Sequence, residues 1–299
     1  MNDNIFRAYR NSSGILSWRW PAVTLDFPPD RTYVTGILNV TPDSFSDGGS
    51  YVAVDLAVAH AQRMAEAGAA VIDVGGQSTR PGAAPVGRAE EEGRVIPVLE
   101  SLRAVFNGAT YKSRKVLISL DTDKPVVAER VLGLGLADIL NDESGGDTAM
   151  ALAAAEYHAP LILMHRPADE GRGDLASAAE DLAAMRRKYI ESGLPEEYIA
   201  LDPGLGFGKD EDENLAILSK CERLLELGSP LYIGASRKRF VGKYSGNAEA
   251  DRRLGGSLAA ALWAAASGAA FVRVHDVRET VEALAMYTAL RQSAGRNPL

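Results

Sequence analysis

Short apolar runs along the chain end repeatedly in a polar or charged residue that a buried strand interior does not carry. Run 34–38 meets Asn39, 70–74 leads to Gln77, 116–120 stops at Asp121, and 137–140 stops at Asn141. Run 161–164 ends at His165, 198–201 at Asp202, 231–234 leads to Ser236 and Lys238, and 271–274 contains Arg273 and meets His275. Stretches of helical character lie between them, as at 56–67, 126–134 and 211–227. Eight alternations of strand and helix predict an α/β fold, a parallel (β/α)₈ barrel. Ligands of such barrels sit at the carboxyl ends of the strands, where these polar residues fall.

The even spacing of the runs, with no Pro/Ser-rich linker, makes 31–299 a single domain. Residues 1–30 carry Phe6, Tyr9, Trp18 and Trp20. That is too aromatic for a disordered tail, so this N-terminal extension is expected to pack on the barrel. A net charge of −8 argues against general nucleic-acid or anionic-membrane binding. The uncharged stretch 254–272 is mostly Ala, Gly and Ser, and splits into a helix at 257–267, a stop at Gly268 and a strand. It is too weakly apolar to span a bilayer. The first residues offer no secretory signal, and the cytoplasm is the expected compartment. The single cysteine, Cys221, excludes an internal disulfide and reads as a buried helix residue.

The loop after the first run, within GILNVTPDSFSDGG (36–49), is rich in oxygen ligands and long for a βα connection. Its Phe45, amid polar neighbours, suggests a lid that touches a substrate. Asn39 offers an amide for a metal or an anion. The second loop, GGQSTRPGA (75–83), carries Arg80, placed to reach a carboxylate or phosphate. Asp121, Asn141 and Asp202 end three strands and converge, and they match the donor edge of a planar heterocycle such as a 2-amino-4-oxo pyrimidine. Two alternatives stand beside this: a metal held by the two carboxylates, and Asp202 as the cap of the next helix. SRKRF (236–240), Arg273 and His275 form a positive pole where barrels often hold phosphate. His165 reads equally as a core or a site residue, and His60 and His158 as structural residues in helices.

Together these motifs, with DTDKP (121–125), ND (141–142), MH (164–165), DPGLGFGK (202–209) and RVHD (273–276), resemble the dihydropteroate synthase family along residues 33–290. The resemblance implies a TIM barrel, a homodimer, and Mg²⁺. It also implies condensation of 6-hydroxymethyl-7,8-dihydropterin diphosphate with p-aminobenzoate, a target of sulfonamides. Asp121, Asn141, Asp202, Lys238 and Arg273 would hold the pterin; Asn39, Arg273 and His275 the diphosphate, with Asn39 on the metal. Asp43, Phe45 and Asp47 of the first loop, Thr79, Arg80 and Pro81 of the second, and Arg239 would form the p-aminobenzoate side. Asp121, Lys238, Arg273 and Asp47 would be the catalytic set. Two other activities remain compatible with a pterin edge: a pterin-dependent methyltransferase and a catalytically silent pterin-binding relative. Gln77 stands where many members have Glu, Arg239 where many have Ser, and the loop after His165 departs from the usual pattern.

Overall fold

A computed structural model describes residues 7–20, 23–41, 49–77, 85–106, 115–167, 171–246 and 249–295. Three short antiparallel strands come first: β1 (Arg7–Arg10), β2 (Leu16–Trp20) and β3 (Val23–Asp26). Then β4 (Tyr33–Asn39), β5 (Val71–Gly75), β6 (Leu117–Thr122), β7 (Ile139–Asp142), β8 (Leu161–Met164), β9 (Ile199–Asp202), β10 (Tyr232–Ile233) and β11 (Phe271–Val274) form one parallel sheet. Its order is β10-β11-β4-β5-β6-β7-β8-β9. The gap between β9 and β10 is bridged by Leu201 and Leu231, and the Leu201 N–H donates to the Pro230 carbonyl at 2.8 Å. This is the (β/α)₈ barrel that the alternating runs predict.

The helices that follow the barrel strands are α1 (Gly49–Ala67), α2 (Arg88–Phe106), α3 (Pro125–Gly133), α4 (Thr148–Glu156), α5 (Leu175–Glu191), α6 (Glu211–Ser219), α7 (Arg239–Ser245), α8 (Leu254–Ala266) and α9 (Val277–Ser293). Local chemistry sets their starts. Asp147 and Asp174 accept backbone N–H groups at the heads of α4 and α5, and Pro125 opens α3. Asp210 and Glu213 form a reciprocal capping box on α6. Asp202 therefore does not cap the following helix. The helical stretch expected over 211–227 divides at Lys220, beyond which residues Cys221–Leu227 tighten into a 3₁₀ turn. Cys221 and Leu224, three apart, both face the core, which suits a period of three. His158 lies past the end of α4 in a left-handed conformation (φ 51°), not within a helix.

Side chains alternate across each strand, so the barrel has two hydrophobic regions. Outward residues such as Val34, Ile72, Leu120 and Leu140 pack against the helices through Val95, Leu99, Val131 and Leu182. Inward residues at the strand starts, including Tyr33, Leu117, Ile139, Tyr232 and Phe271, meet Leu16, Trp18, Trp20 and Leu25 of the antiparallel strands. Trp18 is fully buried, donates its indole N–H to the Glu197 carbonyl at 2.7 Å, and lies 6.1 Å from the Phe271 ring centre. The antiparallel sheet thus floors the amino-terminal end of the barrel. Two residues further along the strands the inward positions turn polar: Thr35, Asp73, Ser119, Asn141 and Arg273. The interior is apolar at the floor and charged towards the carboxyl ends.

Candidate active site

Arg273, inward on β11, organises the charged layer. Its Nε donates to Asp73 at 2.6 Å and an Nη to Asp121 at 2.5 Å. Asp73 also accepts from the Asn141 amide at 3.1 Å. Asp121 and Asn141 are direct neighbours in the β6–β7 register. Burial pushes the Asp121 carboxyl well above the ordinary carboxylate range, as does the neighbouring Glu143, against the pull of Arg273. A Cβ placed on Gly234 would come within 4.0 Å of both Arg273 and Asp202, which sets those two residues on the same wall. Asp202 Oδ1 accepts from the Gly204 N–H at 2.7 Å. Burial raises its carboxyl to about 6, opposed by that N–H and by Lys238, Arg273 and Lys209.

A cavity of about 300 Å³ opens on the carboxyl ends of the strands, lined by Asn39, Lys209, Lys238, Arg239, Arg273 and His275 among others. Lys238, half-buried, stands over the Phe207 ring at 4.3 Å, and the burial it has lowers its ammonium. Lys209 donates to the carbonyls of His165, Gly204 and Phe207 and is drawn down to about 8, chiefly by burial. Arg237 is paired with Asp276 at 2.5 Å. Arg239 is mostly exposed at the rim, 3.7 Å from Glu211.

Five expected site residues, Asp121, Asn141, Asp202, Lys238 and Arg273, therefore come together, and Asn39, His275 and Arg239 line the adjoining cavity. One detail differs from expectation. His275 contributes no positive charge to the pole: burial, then Arg237 and Arg273, hold its imidazole down at about 4. Neutral, it shares a hydrogen bond with Ser236 Oγ across 3.1 Å from Nδ1. His165 is a core residue, buried with Nε2 3.2 Å from Asp181, and burial lowers it to about 4. Asp43, Phe45, Asp47, Thr79, Arg80 and Pro81 lie outside the described residues.

Sequence reasoning passed over Asp73, Glu143, Lys209 and a second polar cluster beside the site. In that cluster Lys124 Nζ reaches Gln77 Oε1 (2.6 Å), Asp123 (2.7 Å) and Glu91 (2.8 Å), while Thr122 donates to Glu91 at 2.6 Å. Gln77 also donates from Nε2 to Asp123 at 3.2 Å. An ionised Glu at position 77 has no proton to give Asp123 and would put a third carboxylate on one ammonium. This accounts for an amide here.

Gly204 is fixed by sterics. At φ +65°, a Cβ would lie 1.9 Å from the His165 carbonyl oxygen. Gly204→Ala is expected to destabilise the protein by on the order of 3–5 kcal/mol, read from urea unfolding. A loss below about 1 kcal/mol would show that the turn can reopen without penalty.

Residues 35–275 match the pterin binding enzyme family. The chain is 41% identical to the dihydropteroate synthase of Bacillus subtilis (strain 168) over 269 residues, covering 89% of this chain and 91% of the relative. It is 43% identical to that of Escherichia coli (strain K12), covering 86% and 91%. The structure superposes on Xanthomonas albilineans dihydropteroate synthase with 4-aminobenzoic acid at a TM-score of 0.80 and 40% identity, covering 90% and 95%. Against the same organism's enzyme in complex with 7,8-dihydropteroate the TM-score is 0.78 at 38% identity, covering 89% and 96%. The chain belongs to the pterin-binding enzymes, and among them to the dihydropteroate synthase family.

Proposed function

We propose that this chain condenses 6-hydroxymethyl-7,8-dihydropterin diphosphate with p-aminobenzoate, giving 7,8-dihydropteroate and pyrophosphate. The observation that carries the reading is the junction at Arg273, where a buried carboxylate and amide layer meets a cation-lined cavity. Asp202, Asn141 and Asp121 would receive the N–H groups of the pterin, with Lys238 and Arg273 beside the ring. The diphosphate would lie in the cavity against Arg273, His275 and Asn39, and the p-aminobenzoate towards Arg239 and the residues Asp43, Phe45, Asp47, Thr79, Arg80 and Pro81.

The diphosphate leaves from a CH₂ attached to an electron-rich ring, so positive charge builds on the pterin as the bond loosens. Asp121 stabilises that charge, while the cations hold the leaving oxygens. The neutral His275 donates a hydrogen bond without needing to be protonated. The arylamine attacks as the free base, and a strong general base is not required. Among the described residues no group of three His, Cys, Asp or Glu side chains could hold a metal ion. Asn39 supplies one amide oxygen in the cavity, a donor set that fits Mg²⁺ carried in on the diphosphate with its own waters rather than one caged by protein. When bound there, Mg²⁺ would neutralise diphosphate charge. Pyrophosphate release that requires both the pterin diphosphate and p-aminobenzoate is the expected result; release with the pterin alone, or none with both, would refute the proposal.

Among the described residues no helix is long and apolar enough to cross a membrane, and we place the reaction in the cytoplasm. Residues 31–299 act as one catalytic domain in this reading, with 1–30 as its extension. An apolar groove on the outside of α6, α7 and α8 is lined by Leu215, Tyr244, Gly256, Ala260 and Trp263, the last 52% exposed. We assign it to a second copy of the chain, since an exposed Trp beside small residues suits close packing of like helices. Light scattering is expected to show a dimer that Trp263→Glu converts to a folded monomer; a monomeric parent protein would overturn the assignment.

A further inference from the structure

Glu143 is the next inward position of β7 after Ile139 and Asn141, just beyond the end of the strand. Its N–H donates to the Thr122 carbonyl at 3.1 Å, while Asp142 turns outward to Tyr189, whose hydroxyl donates to it at 2.5 Å. Glu143 is 5% exposed, and its carboxyl lies in hydrogen-bond contact with Asp121. Asp121 uses Oδ2 for Arg273; Oδ1 is buried, and among the described residues no N–H or hydroxyl reaches it. Two carboxyl groups in contact, one with an oxygen that no other donor serves, have one stable arrangement: a proton between them.

The charge of the chamber asks for the same proton. Among the described residues four carboxyl groups face it: Asp73 from β5, Asp121 from β6, Glu143 after β7 and Asp202 from β9. Three cations of the described residues answer them: Arg273 from β11, Lys238 from the loop after β10, and Lys209 from the loop after β9. Tyr232 of β10 is buried and neutral beside them, and His275 is neutral too. One retained proton brings the group into balance without burying an unpaired negative charge.

We propose that Asp121 and Glu143 share one proton at neutral pH, and that Glu143 is a positioning residue that fixes which oxygen of Asp121 faces the substrate ring. The role in the reaction rests on the pterin reading above; the pair itself does not. Held by Glu143 on one side and Arg273 on the other, Asp121 cannot rotate. With its proton held between the two carboxyls, the pair presents one negative charge and acceptor lone pairs to a nitrogen heterocycle. Such a face suits a ring edge that carries N–H groups. Burial keeps both carboxyls above the ordinary range; the Glu143 charge adds to this at Asp121, while the contact with Asp121 draws Glu143 down, so the two titrations are linked.

Infrared spectroscopy of the ligand-free protein at about pH 8 tests the pair, since Asp142 and Asp202, both raised to about 6, are then ionised. The expected spectrum has a carboxylic-acid carbonyl band that shifts in D₂O, persists in Asp202→Asn and vanishes in a folded Glu143→Gln. No band in the parent protein, or one unchanged in Glu143→Gln, overturns the proposal. The second arm is the pH profile of kcat/KM for the pterin diphosphate. The parent should lose activity at alkaline pH as the shared proton leaves. Glu143→Gln, whose amide donates at every pH, should lose that limb while staying within about tenfold of the parent at its optimum. Superimposable profiles overturn the positioning role. A parent that forms no product at any pH refutes the pterin reading, and the infrared result then still decides the pair.

Discussion

Asp202→Asn is expected to lower kcat/KM for the pterin diphosphate by roughly 10²–10³-fold while leaving the fold intact. The structure makes the reason specific. Oδ1 accepts from the Gly204 N–H, and an Asn carbonyl oxygen can keep that bond. The substituted NH₂ then takes the place of Oδ2 and turns a donor towards the N–H groups that the carboxylate would receive. One charge-assisted bond is lost and a donor opposes a donor, a change that costs on the order of 3–5 kcal/mol in a buried pair. At about 1.4 kcal/mol per decade this gives the stated range. Circular dichroism and the melting temperature should barely move. Activity within a few-fold of the parent would mean that Asp202 serves only the turn at Gly204.

Arg273→Met has the opposite signature, a loss of both stability and activity. The variant keeps side-chain bulk but leaves the fully buried Asp73 and the nearly buried Asp121 without their shared cation. Removing one partner from buried charges costs about 3–5 kcal/mol, which lowers the melting temperature by on the order of 10 °C in a chain of this size. The deficit should shrink in acid. Without the guanidinium, Asp121 is raised further above its unfolded value, so the native variant binds more protons than the unfolded chain over the range above ordinary carboxylate titration. Stability of the variant relative to the parent then rises as pH falls through that range. A deficit that is constant between about pH 8 and 5 would contradict the charge argument. A loss below about 1 kcal/mol would show that Arg273 is not the counter-ion that the geometry makes it.

The strand order and the face carrying the site were legible because a polar residue ending an apolar run is a local signal. Asn39, Asp121, Asn141 and Asp202 announce themselves in this way. Asp73 does not, because it sits inside the run VIDVG, where a single acid looks like a tolerated exception. Its signal was the period of two: Val71, Asp73 and Gly75 share the inward face. Glu143 was available by the same rule, two positions beyond Asn141. The cluster around Lys124 had no local signal, since Glu91 reaches Thr122 only once α2 packs beside β6. The neutrality of His275 depends on burial among arginines from two elements, which no single segment reveals. The break at Lys220 was hidden because a 3₁₀ turn and an α-helix both place apolar residues three apart.

The aromatic floor also bears on how the molecule assembles. Trp18 finishes its packing against Phe271, which lies roughly 250 residues further along, so the contact cannot form until the last barrel strand is in place. Until then Trp18 and Phe27 lack the Phe271 ring that completes their cover. The antiparallel strands therefore act less as a nucleus than as a latch, closed by the final strand. A chain that stalls before Phe271 keeps an unsated aromatic surface, the kind of patch that chaperones and proteases recognise in incomplete proteins.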